Sequence, residues 1–231
     1  MSALRTAGID LSRLAVVDLP TGCAAIAVDP QGRNQILVAA GANRAARANQ
    51  VRDADLAPQT VLLLQGECDV SETVTLLHRA RRRGARAVLN LAPFAALPRD
   101  TLAAASVLVV NSVEAAALAG HLAVMADASA LAAALGTAVV VTLGAEGAVL
   151  AQAGDETRVA ALPVAVRDTT GAGDALVGVL GSGLARGLAL DEALRRAVAA
   201  ASLACTRPGA QRGLPLSAEI DEALARSFAG C

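Results

Sequence analysis

Residues Val107 to Gly144 read VLVVNSVEAAALAGHLAVMADASALAAALGTAVVVTLG. The stretch opens on four apolar residues, Val107-Leu108-Val109-Val110, and stops at Asn111. It closes on Val139-Val140-Val141-Thr142-Leu143, which stops at Gly144. Short apolar runs of this kind, rich in Val and without alternation, predict strands buried on both faces. Between them, Ala-rich sequence over 113–119 and 128–135 predicts helices. Strand, helix, strand is the unit of a parallel sheet with helices on its faces.

The pattern repeats outward from there. Val61-Leu62-Leu63-Leu64 predicts another strand buried on both faces, and Ala87-Val88-Leu89 the next. The helix between them starts at a cap made by Asp69 and Glu72, runs to about Arg83 and ends at Gly84. Downstream, Gly147 to Ala151 and Val164 to Val166 predict short strands, and helices are expected over 174–185, 190–206 and 217–228. Upstream, Gly22 to Val28 and Asn34 to Val38 read as strands of a hairpin, joined by the turn signal Asp29-Pro30-Gln31-Gly32. The fold class is α/β with a largely parallel sheet. Ligands in such sheets bind beyond the C-terminal strand ends, where Asn111, Gly144 and the loop after Val166 sit.

Composition narrows the function. The chain has 231 residues, 55% of them hydrophobic, and a formal net charge of −1. That excludes disorder and argues against a general nucleic-acid or membrane-surface binder. Aromatic residues are 1%, with no Trp and no Tyr, which removes the stacking platforms of most RNA and single-strand binders. All 20 basic residues are Arg. Without Lys there is no Walker A loop, no Schiff-base enzyme and no Ser-x-x-Lys hydrolase. Cys23, Cys68, Cys205 and Cys231 form no Cys-x-x-Cys pair, and neither His78 nor His121 has a ligand partner nearby in sequence, so no zinc or redox motif is signalled. Scattered thiols fit a reducing compartment. The N-terminus has no secretory apolar region. The longest uncharged stretch, between Asp127 and Glu146, is broken by Gly136 and Thr137, so a soluble, cytoplasmic protein with no membrane span is expected. The basic run Arg79 to Arg86 reads as a helix C-terminus complementing the dipole, in preference to a phosphate-binding patch.

Asp168-Thr169-Thr170-Gly171-Ala172-Gly173-Asp174 carries the chemistry. It follows a strand prediction and opens a helix. Its glycines let backbone amides approach a ligand, and the helix N-terminus adds partial positive charge, so the loop is a phosphate cradle. Asp174, in the first helical turn, could take the proton of a hydroxyl attacking a γ-phosphoryl group. A Gly-rich turn with a helix-stabilising carboxylate explains the same residues, and by composition the two readings stand even. The spacing is not Gly-x-Gly-x-x-Gly, so a dinucleotide site is a weak reading.

The segment resembles the C-terminal signature of the ribokinase-like sugar kinases, the phosphofructokinase-B family. Other segments are similar to that family in order and spacing: Thr21-Gly22 through the hairpin to Gly41-Ala42-Asn43, Gln65-Gly66-Glu67, Asn90-Leu91-Ala92-Pro93, Asn111-x-x-Glu114, Thr142-Leu143-Gly144 and Arg207-Pro208-Gly209-Ala210-Gln211. The hairpin looks like the ribokinase branch in particular, and the match runs from about Gly8 to the C-terminus.

The resemblance implies a three-layer α/β sandwich with a partial β lid over 20–40, in one incomplete domain over 1–231. It implies ATP-dependent phosphorylation of a primary hydroxyl of a small sugar, D-ribose first. Asp174 would be the catalytic base, with Gly171, Ala172 and Gly173 as the anion hole. Asn111 would contact nucleotide phosphates, and Thr142, Leu143, Gly144, Ala145, Glu146 and Gly147 would line the ATP site. Glu67 would face the sugar. Glu114 would help hold Mg2+ through water, and Asp168, Thr170, Ala204, Arg207, Gly209 and Gly213 would form the loops around an activating K+. Family lids often pair, which implies a homodimer.

The same resemblance marks departures. Gly66 stands where Leu is usual, Leu91 where Pro is usual, Ser112 where Glu is usual, and Val198 where a polar residue often lies near the adenine. The family's domain begins before Met1, with strands, a Gly-Gly-Lys-Gly-like segment and an Asp that grip the sugar. The sequence therefore also allows a catalytically incomplete remnant that keeps only the nucleotide-binding half.

Overall fold

The computed structural model describes residues 2–28 and 34–229. The expected turn at Asp29 to Gly32 lies outside them. After a short helix, α1 (Ser2–Thr6), the strands β1 (Cys23–Val28) and β2 (Asn34–Ala39) pair antiparallel, from Cys23 opposite Ala39 to Val28 opposite Asn34. This two-stranded ribbon leaves Leu37 and Val38, neighbours on opposite faces, exposed.

Among the described residues the main sheet has six strands in sequential order: β3 (Val61–Gln65), β4 (Arg86–Asn90), β5 (Val107–Asn111), β6 (Ala138–Thr142), β7 (Ala148–Gln152) and β8 (Asp155–Val159). β3 to β6 run parallel, while β7 and β8 turn back antiparallel. The pleat sends alternate residues to opposite faces. Leu89, Leu108, Val110 and Val139 face one core, lined by α2 (Val70–Arg83), α4 (Ser112–Leu122) and α5 (Ala128–Leu135) after the short α3 (Arg99–Leu102). Val88, Val107, Val109 and Val140 face a second core under α6 (Ala172–Ala185) and α7 (Leu190–Ala204). α8 (Ser217–Ala229) packs on α7 through Ile220. The result is the expected three-layer α/β sandwich.

Local chemistry sets the helix ends. Asn111 and Glu114 cap α4 reciprocally, each side chain accepting the other's backbone amide at 2.9 Å. Gly84 ends α2 with φ 75° and Gly136 ends α5 with φ 66°. At α2 only half of the expected cap forms. Asp69 accepts the Ser71 amide at 2.8 Å, but the Glu72 carboxylate turns away to accept the Ala48 amide at 2.7 Å.

Three expectations change. β3 is not buried on both faces: Leu63 is 43% exposed, because β3 is the edge of the sheet among the described residues. Residues 164–166 form no strand; that segment leads into a loop tied to the end of α7, with the Arg167 amide donating to the Cys205 carbonyl at 2.8 Å. The strand that sequence reading missed is β8. In the basic run, Arg81, Arg82 and Arg83 do occupy the last turn of α2. Arg79 and Arg86 instead turn to backbone carbonyls, Arg79 to those of Ala48 and Val51 and Arg86 to that of Leu184.

Candidate active site

The four parallel strands end in polar residues on one margin of the sheet: Gln65, Asn90, Asn111 and Thr142. The register sets Gln65 beside Asn90 and Asn111 beside Thr142. The N-terminus of α6 opens at the same margin, where Gln65 Nε2 donates to Asp174 Oδ1 at 3.0 Å.

The two glycines of the signature loop differ in what they meet. Gly171 has φ 79°, and a Cβ there would stand 3.1 Å from the Ala210 Cα. The fold itself therefore demands glycine. A Cβ on Gly173 would meet nothing within 4 Å, so that space is open to a ligand. The Ala172 amide bonds back to the Thr169 carbonyl at 3.2 Å, while those of Gly173 and Asp174 sit in the first turn, where a helix offers no acceptor. Among the described residues these amides have no backbone partner, and with the dipole they suit the corner to an anion, with an exposed carboxylate, Asp174, at its lip.

Asp168 ties this loop to the loop after α7. Its Oδ1 accepts the Thr170 amide at 2.9 Å and its Oδ2 the Gly209 amide at 2.7 Å. The hydroxyl of Thr170 and these two amides hold its carboxyl down to about 2. In the second loop the carbonyl oxygens of Gly209, Ala204 and Arg207 crowd one side of Gly213, at 2.8, 3.1 and 3.3 Å from where a Cβ would stand. The Arg207 guanidinium is turned to Glu219.

Beyond β6, Gly144 to Glu146 form one 3-10 turn. The Leu143 amide donates to the Gly147 carbonyl at 2.8 Å, and the Gly147 amide to that of Gly144 at 3.0 Å. A Cβ on Gly147 would lie 2.0 Å from the Val159 carbonyl oxygen, so this loop is fitted tightly against the end of β8. Ala145 and Glu146 are exposed. Burial pushes the Glu114 carboxyl above its ordinary value, against the bond from the Asn111 amide.

A cleft of about 380 Å³ opens beside Asp174 and Gln65, floored by Leu63, Leu64 and Val177. A larger hollow of about 550 Å³ lies where β6 begins, lined by Ser106, Gly136 and Thr137; none of the expected site residues reaches it.

The sequence matches the pfkB family carbohydrate kinase model over residues 1–216. The chain belongs to this family. It is a carbohydrate kinase, a phosphotransferase. It is 32% identical to the ribokinase of Haemophilus influenzae over 232 residues, 96% of this chain and 76% of that one. The ribokinase of Cryptococcus neoformans var. grubii, solved in complex with ADP, superposes with a TM-score of 0.81 at 28% identity, over 96% of this chain and 77% of that one. Arabidopsis thaliana ribokinase, complexed with ribose and ATP, gives 0.74 at 26% identity, over 90% and 70%.

Set against the kinase family's pattern, the structure brings several expected residues together. Gly171, Ala172, Gly173 and Asp174 form one corner. Asp168, Thr170, Ala204, Arg207, Gly209 and Gly213 meet across two pinned loops, with backbone carbonyls as donors, the ligand type that suits K+. Asn111 and Glu114 spend polar atoms on each other as helix caps; the Asn111 amide bonds to Glu114 Oε2, so Oε1 is the atom that could hold a hydrated divalent cation. Glu67 is exposed on the turn after β3. Gly66 accounts for its own departure, since a Cβ there would stand 2.4 Å from the Pro93 carbonyl oxygen. Sequence reading gave Gln65 no role. Its contact with Asp174 depends on packing β3 against α6, and no local motif reports that.

Proposed function

We propose that this chain transfers the γ-phosphoryl group of ATP to the primary hydroxyl of a small sugar, D-ribose first. The observation that carries the reading is the Asp174 carboxylate, placed at the N-terminus of α6 and at the mouth of the cleft beside Leu64 and Val177. The ribokinases it resembles support the choice of sugar.

In this mechanism Asp174 takes the acceptor hydroxyl's proton as that oxygen bonds to the γ-phosphorus. The bond to the bridging oxygen breaks and ADP leaves. The amides of Gly173 and Asp174 stabilise charge on the transferred group. Residues 142–147 and Asn111 would seat the nucleotide, Glu67 would face the sugar, and the ribbon of β1 and β2 would act as a lid. Mg2+, arriving with ATP, would neutralise phosphate charge near Glu114, and K+ among the carbonyls of Ala204, Arg207 and Gly209 would stiffen the two pinned loops.

The test is ATP-dependent phosphorylation of D-ribose by the purified chain, with Mg2+ and with K+ or Na+. K+-stimulated sugar phosphate formation is expected. A folded chain that binds ATP and phosphorylates no sugar would overturn the reading in favour of a protein that only binds nucleotide.

A further inference from the structure

The Asp174 carboxylate is held from one side. Gln65 Nε2 donates to its Oδ1 at 3.0 Å, across 109 residues of sequence. Among the described residues no other side chain bonds to Asp174. Gln65 is the last residue of β3, and its backbone is paired with Asn90 in the parallel ladder, so the donor sits on a rigid element rather than a loop. A carboxylate only accepts, so the Gln65 amide must present its NH2 group.

We propose that Gln65 is a positioning residue. It fixes Asp174 Oδ1 and so leaves Oδ2 aimed at the acceptor hydroxyl. The inference rests on Asp174 being the base. The contact is exposed and adds little to stability. Its value is geometric. An aspartate at a solvent-facing helix start can rotate about two side-chain bonds, and anchoring one oxygen removes that freedom before the substrate arrives. Phosphoryl transfer depends heavily on such positioning. The anchor also lies on the cleft wall, with Leu63 and Leu64 of the same strand beneath it, so the strand that floors the cleft also orients the carboxylate.

Two variants separate a donor from a space-filler. Gln65→Glu keeps the shape and removes the donor; Gln65→Leu removes all polarity. Both are expected to lower kcat about tenfold or more, with KM for ATP within about twofold of the parent. Gln65→Glu should be no better than Gln65→Leu, because a second carboxylate repels the first. A space-filling role would leave Gln65→Glu near the parent. A second readout needs no turnover: the Gln65 side-chain NH2 signals in a 15N spectrum should shift in Asp174→Ala. Unmoved signals, or Gln65→Glu with the parent's kcat, would overturn the proposal. Asp174→Asn, run in parallel, keeps the two ideas apart. If it turns over at the parent rate, the base reading has failed. If it is inactive while Gln65→Glu is not, only the positioning role has failed. A parent chain with no turnover fails the base reading as well.

Discussion

Asp168 accepts the backbone amide of Gly209, 41 residues away, at 2.7 Å, and the amide of its neighbour Thr170 at 2.9 Å. One carboxylate thus fastens the signature loop to the loop after α7. The hydroxyl of Thr170 and these amides favour its charged form and hold it near 2, below its ordinary 3.8. A depressed carboxyl contributes stability above the unfolded value and loses it as pH falls through the folded one. The gap in stability between the parent and Asp168→Asn should therefore be full at about pH 6 and shrink between about pH 4 and pH 2. Denaturant titrations across that range check it. A gap that does not change with pH would mean that the charge is not what fastens the loops.

The two signature glycines should respond differently to alanine. At Gly171, with φ 79° and the Ala210 Cα at 3.1 Å, Gly171→Ala should cost about 1–2 kcal/mol or more and lower Tm by several degrees. At Gly173, where a Cβ meets nothing within 4 Å, Gly173→Ala should leave Tm unchanged. It should cut turnover about tenfold or more, because the methyl enters the anion corner. Paired melting curves and rates would show the split. A Gly173→Ala variant with full activity would remove that corner from the mechanism.

Gly147 is the strictest steric position of the 142–147 loop. A Cβ there would lie 2.0 Å from the Val159 carbonyl oxygen and 2.6 Å from the Ala161 amide nitrogen, both backbone. Gly147→Ala should destabilise the chain by about 3 kcal/mol or more and weaken ATP binding together with stability. Urea unfolding and a nucleotide titration test this. A parent-like midpoint would contradict the close fit of this loop against β8.

Arg79 holds the segment before β3 in place. Its guanidinium donates to the carbonyls of Ala48 at 2.6 Å and Val51 at 2.7 Å, and to Asp53. A lysine cannot reproduce that fork. Arg79→Lys should cost about 1–3 kcal/mol and open the 46–55 segment to limited proteolysis. A proteolysis pattern identical to the parent's would refute the fastening.

Most of the sheet was legible because its strands are continuous apolar runs: β4, β5 and β6 lie between helices on both faces, and their composition says so. β8 was not, because DETRV carries Asp155, Glu156 and Arg158 on an outer strand with exposed side chains. Val164 to Val166 misled in the other direction. The run has strand composition, but it joins no strand; the residues that follow it, Arg167 and Asp168, donate their amides to the Cys205 carbonyl. Asn111 and Glu114, three residues apart, cap α4 through local spacing alone. Glu72 has the same spacing from Asp69, yet its carboxylate goes to Ala48, a choice made by tertiary packing. The same limit hid the Asp168–Gly209 and Gln65–Asp174 contacts, which join segments 41 and 109 residues apart.

The central claim is that Asp174 removes the proton from the acceptor hydroxyl. The direct measurement is sugar phosphorylation by Asp174→Asn beside the parent, together with ATP binding by both. Asparagine keeps the shape and loses the base. The account predicts a loss of turnover of about 100-fold or more, with ATP affinity within about threefold of the parent. Turnover at the parent rate in Asp174→Asn would contradict it.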